Sequence, residues 1–168
     1  MADPTTSANT DQIIPFDGKH EAAAAAVALV ESAQREICFM GSTLDTVLLD
    51  QLSVIENIKQ LCISSPRTRI RLLVDETQSS ISRSHRLLPL MTRLTSSISL
   101  HILSGQHQQP KNIVMLADDS GYLRCLNNGR YQGQAKRHDP LTARELRQLF
   151  EECWNHSTVD VATRRLDL

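Results

Sequence analysis

The chain has 168 residues, of which 40% are hydrophobic and 22% charged, with 18 basic and 19 acidic residues and a formal net charge of -1. That length suits one domain with a sizeable core, and the composition excludes wholesale disorder. The near-neutral balance also excludes a whole-molecule field that draws in polyanions, so a nucleic-acid surface has to be a local patch.

Residues 1–15 are rich in Thr, Ser, Asn and Asp and read as a frayed tail, without the basic start and apolar run of a signal peptide. HEAAAAAVALVESAQRE, residues 20–36, is helical by propensity, with a predicted apolar stripe of Ala23, Val27, Val30 and Ala33. ICFMG (37–41) is a short apolar run ending at a glycine, the pattern of a strand buried on both faces. Leu49, Leu52, Ile55, Ile58 and Leu61 then predict a second helix, stopped by SSP at 64–66. TRIRLLVDE (68–76) reads as a strand and SRSHRLLPLMTRLTS (82–96) as a helix, in which Pro89 forces a kink or a shifted start. ISLHIL (98–103), 112–117 and 121–126 complete the predicted strands, the last two forming a hairpin around Asp118 and Asp119. Asp139 caps a final helix with Pro140 at its first position and a face of Leu146, Leu149, Phe150, Cys153 and Trp154.

Alternating strands and helices followed by a hairpin predict an α/β domain, a mixed sheet flanked by helices. No window approaches the roughly 20 apolar residues of a spanning helix, so the expectation is a cytoplasmic protein with no membrane contact. Cys38, Cys62, Cys125 and Cys153 form no CxxC and lie in apolar stretches, which predicts buried free thiols and no metal.

In such a sheet ligands gather beyond the carboxyl ends of the strands, which selects GSTLD (41–45), VDETQ (74–78) and the helix start SRSHR. The candidate ligand-binding residues are therefore Ser42, Asp45, Asp75, His85 and Arg86. His85 and Arg86 beside helix amides favour an anion, against the alternative of a solvated pair. Asp75 could serve as base, ligand anchor or turn cap. Arg67, Arg69 and Arg71 alternate on one strand face, as a solvated edge or a row of phosphate contacts. Together with Lys136 and Arg137, in the loop before the last helix, they form a secondary basic patch. His101 is expected to face solvent or one sheet surface, and His107 lies in a polar loop. No GxSxG elbow, HExxH or paired His/Cys spacing occurs, so no catalytic residue and no cofactor is assigned.

The order of elements, with RIRLLVD, SHRLLPLMTRL, LADDSGYL and FEECW, resembles one half of the phospholipase D-like fold over residues 16–157, leaving 158–168 as a C-terminal tail. It is most similar to small bacterial members, some of them attached to acetyltransferase domains. Active members of that family carry H-x-K-x4-D on the strand matching 111–118, and two such sets meet at one site. With Asp118 as the motif aspartate, the histidine and lysine positions hold Lys111 and Ile113; with Asp119 they hold Asn112 and Val114. Neither frame supplies the nucleophile. The resemblance therefore implies a non-catalytic domain that binds a phosphate-bearing ligand, nucleic acid among them, or a protein partner. The alternatives are a phosphodiesterase or nuclease using His85, His101 or His107 in a rearranged site, and a dimerising accessory module of an enzyme, here a homodimer.

Overall fold

The computed structural model describes residues 12–75, 84–103, 112–126 and 129–160. Among them the chain forms, in order, β1 (Ile14–Asp17), α1 (Lys19–Ser32), β2 (Glu36–Gly41), α2 (Thr46–Leu49), α3 (Leu52–Ser64), β3 (Arg69–Val74) and α4 (Leu87–Arg93). Then follow β4 (Ile98–Ile102), β5 (Asn112–Ala117), β6 (Gly121–Leu126), β7 (Gln132–Lys136), α5 (Pro140–Asn155) and β8 (Thr158–Val159). The strands make one mixed sheet in the order β1-β7-β6-β5-β2-β3-β4-β8. Only β2–β3 and β3–β4 pair in parallel; the other described pairs are antiparallel.

The alternation of the central strands explains the two faces. Ile37 and Phe39 of β2 and Ile70, Leu72 and Val74 of β3 point to the core shared with α1–α4. Cys38, Met40 and Leu73 point the other way, beneath Ala143, Leu146, Phe150 and Cys153 of α5. Arg71 lies between Ile70 and Leu72 and so emerges on the α5 side, at 5% exposure.

The predicted mixed sheet and its 112–126 hairpin stand as expected, and several details differ. The buried stripe of α1 is Ala22, Ala25, Ala26, Leu29 and Val30, so Ala23 and Val27 flank it. The second helix divides into α2 and α3. Its buried seam is Val54, Ile58 and Cys62, and Leu52 is 65% exposed. Pro89 is the third residue of α4, where its missing N–H has no intrahelical acceptor to lose, so the start shifts and no kink is needed. Leu149 is 47% exposed, and Ala143 takes its place on the buried face of α5.

Three strands carry little apolar signal. β1 contains Pro15, tolerated because the strand lies at the sheet edge. β7 is QGQAK, with only Ala135 buried. Its Gly133 is required by packing, since an added Cβ would sit 2.1 Å from the Arg124 carbonyl oxygen on β6. Lys136 therefore ends a strand rather than lying in a loop. β8 is two residues on the far edge, so residues outside 16–157 enter the sheet at both margins. All four cysteines are buried and free, and no described helix is long and apolar enough to cross a membrane.

Candidate functional site

The carboxyl ends of β2, β3 and β4 lie on one edge, and the backbone joins the segments that follow them. Asp75 N–H donates to the carbonyls of Gly41 and Ser42 at 3.2 Å each, and Leu103 N–H donates to Val74 O at 2.8 Å. Asp45 caps α2 by accepting from Leu48 N–H at 2.9 Å, and its second oxygen accepts from Tyr131 Oη at 2.8 Å. Burial and that carboxylate together raise the pKa of the Tyr131 hydroxyl.

His85 is 1% exposed. Its Nδ1 accepts from Leu87 N–H at 3.1 Å, and its Nε2 has no hydrogen-bond partner. The Asp45 backbone lies close enough to this imidazole to favour its protonated form. Burial lowers the His85 pKa, opposed by the charges of Asp50 and Asp45. The ring is therefore neutral near pH 7, and because Nδ1 accepts, its proton sits on Nε2. Arg86 closes over this segment. Its N–H donates to Asp50 Oδ1 at 3.1 Å and its guanidinium lies 3.8 Å from the same oxygen.

Thus Ser42, Asp45, Asp75, His85 and Arg86 share one edge. Several of them also have structural work: Asp45 caps a helix, His85 accepts from Leu87 N–H and Arg86 pairs with Asp50. Asp50 and Tyr131 were not legible as members of this group, because their partners are distant in sequence. His107 and Lys111 lie outside the described residues. Strand β5 runs antiparallel to β2, with Met40 opposite Val114, so the start of β5 faces this same edge.

The opposite, amino-terminal edge holds the acids and bases that β3 and the hairpin supply. Asp118 adopts φ 53°, a left-handed conformation that Asp tolerates better than most residues. Its carboxylate accepts the N–H groups of Gln34 and Arg35 at 2.8 Å and of Glu36 at 3.0 Å, tying the hairpin to the α1–β2 connection. Glu36 Oε1 accepts from Arg71 at 3.0 Å and from Arg147 at 2.5 Å. Arg71 also pairs with Glu151 and lies over the rings of Phe150 and Trp154, 5.0 and 5.3 Å from their centroids. Burial would push the Glu36 carboxyl up, but bonds from Arg147, Cys38 and Arg71 hold it down at about 2. Burial and Glu36 push the Cys38 thiol up to about 12, so it is no nucleophile at neutral pH.

The basic stripe expected on β3 is therefore divided. Arg71 is buried in ion pairs, because β3 is an interior strand and α5 covers that face. Arg67 and Arg69 are exposed. Lys136 lies 3.9 Å from Asp139, and Arg137 is exposed beside it. His101 takes the second of its two expected places, one face of the sheet, where it stacks on Trp154 at 3.7 Å and bonds to Ser157 at 2.7 Å. Among the described residues no three His, Cys, Asp or Glu side chains are grouped to hold a metal ion.

A family model described as a domain of unknown function, DUF7931, matches residues 18–166. No curated protein matches the chain. Among solved structures it is similar to Nuc, a phospholipase D family member from Salmonella typhimurium. The TM-score is 0.59 at 15% identity, over 88% of this chain and 98% of that one. NucT from Helicobacter pylori gives 0.59 at 11% identity over the same shares, 88% and 98%. TrmBL2, an archaeal chromatin protein with a novel mode of DNA binding, gives 0.60 at 14% identity, over 92% of this chain. The chain spans only 57% of that protein. At these identities the likeness establishes the fold, which is phospholipase D-like.

Proposed function

Because the chain belongs to the DUF7931 family and has a phospholipase D-like fold, we propose that it is a non-catalytic domain that binds a phosphate-bearing ligand without cleaving it. The observation that carries this reading is the state of the motif strand. Asp118 fits the motif aspartate at the turn, which sets the lysine position at Ile113, a residue 4% exposed in the core. The alternative frame puts Val114 there, 2% exposed. Cleavage through a phosphohistidine needs an imidazole at the phosphorus and cations on its oxygens, and the strand's sequence has neither residue in place.

The ligand surface of this reading is the carboxyl edge, where the start of β5 faces Ser42, Asp75 and the His85–Arg86 segment. Among the described residues the Nε2–H of neutral His85 has no hydrogen-bond acceptor, and the Arg86 guanidinium is held by the carboxylate and the backbone carbonyl of Asp50. A phosphate oxygen competes with Asp50 for the Arg86 guanidinium, and reaches the Nε2–H of His85, 1% exposed, only when this edge opens. An amide NMR titration with a nucleoside monophosphate tests the assignment. Residues 42–45 and 84–87 should shift first and saturate together. Shifts confined to other surfaces, or none at millimolar ligand, would remove the site.

A further inference from the structure

We propose that the amino-terminal edge of the sheet is a second, separate surface that binds a nucleic-acid strand through its phosphates. The two basic groups that lie far apart in sequence, Arg67 with Arg69 and Lys136 with Arg137, are brought to this one edge by the strand order. Register shows it directly: Arg69 pairs with Glu36, Ile37 with Ala117, Ala117 with Gly121, and Tyr122 with Lys136. Arg35, in the connection gripped by Asp118, falls between them.

Two hollows flank that connection. One of about 520 Å³ is lined by Arg35, Arg67 and Arg69, the other of about 340 Å³ by Asp118, Ser120, Arg137 and His138.

Charge on this edge is unevenly compensated. The acids are largely neutralised from within: Asp118 by three backbone N–H groups, Glu36 by Arg71 and Arg147, Asp139 by its helix cap and Lys136. The exposed guanidiniums of Arg35, Arg67 and Arg137 have no carboxylate within 4.0 Å among the described residues. Asp119 is the exposed acid at the turn. The result is a cationic row on a molecule whose net charge is -1.

The length of the row selects the partner. From β3 to β7 there are four strand spacings, roughly 19 Å, too far for one phosphate to reach both ends. A nucleic-acid strand carries a phosphate about every 3.4 Å of axis and meets the whole row. This surface lies across the sheet from the carboxyl edge, so its occupancy does not depend on the ligand proposed there.

The test is fluorescence anisotropy of a labelled single-stranded oligonucleotide, long enough to span the row, against salt concentration. The wild-type chain should bind at low salt. Arg35→Gln, Arg67→Gln and Arg137→Gln together should weaken binding at least tenfold, and flatten the log–log salt slope by about 2, for three lost contacts at about 0.7 each. Lys19→Gln, Arg124→Gln and Arg130→Gln, an equal charge loss at exposed positions away from the amino-terminal edge, should change affinity less than threefold. Circular dichroism confirms the fold of each, and the single arginine variants carry the test if the triple loses the wild-type spectrum. No wild-type binding, or equal losses in the two triples, would overturn the proposal. The monophosphate titration tests the carboxyl edge independently.

Discussion

Replacing Glu36 by glutamine asks whether the buried ion cluster stabilises the fold. The Glu36 side chain is 17% exposed and its carboxyl is held at about 2, against an unperturbed 4.5. At 1.36 kcal/mol per unit that difference corresponds to about 3 kcal/mol of stability. Because the folded pKa is depressed, the unfolded chain takes the proton first. The contribution is complete above about pH 5 and is lost as pH falls through the window to about 2. Glutamine keeps one acceptor for Arg147 or Arg71 but leaves two guanidiniums without their shared charge, the costly half of a broken buried pair. Urea unfolding at pH 7 should place E36Q about 2–3 kcal/mol below wild type, with the gap closing towards pH 3. Glu151 and Asp139, whose carboxyls also sit low, lose stability in both proteins and largely cancel in the difference. A gap under about 0.5 kcal/mol at pH 7, the scale of an ordinary surface substitution, or one constant across pH, would refute the reasoning.

Asp118→Ala strips the acceptor from three backbone N–H groups and should lower the unfolding free energy by about 2 kcal/mol; Asp118→Asn, which keeps one oxygen and tolerates φ 53°, should cost less. Urea titration of the two variants checks the order. His85 has its pKa lowered chiefly by burial, so the unfolded chain protonates first and stability falls as pH drops through 6.5. In His85→Leu that slope between pH 7 and 5 should flatten, as read from midpoints at each pH.

Much of the fold was legible because the central strands and helices announce themselves. ICFMG, RIRLLV and NIVMLA are apolar runs, and DP before an apolar face marks α5. β1, β7 and β8 were not, because edge strands bury little: Ala135 is the one buried residue of β7. The basic stripe misled for a different reason. Alternation places Arg69 and Arg71 on one face, and nothing local says that α5, about 80 residues onward, covers the second but not the first. Ser42, Asp45, Asp75, His85 and Arg86 could be placed on one edge from strand direction alone. What sequence could not supply was their other partners, Asp50 and Tyr131, since these depend on how loops close over the edge. The paired aspartates of the hairpin carried a readable signal, a turn residue suited to positive φ, yet the three N–H groups Asp118 grips come from 82–84 residues away.

Binding without cleavage is tested most directly by a phosphorus NMR titration of a dinucleoside phosphodiester with the protein. The phosphodiester resonance should move or broaden with added protein and keep its full integrated intensity over a day. A phosphomonoester resonance growing in proportion to protein would restore a catalytic domain, and an unmoved phosphodiester resonance would remove the phosphate ligand.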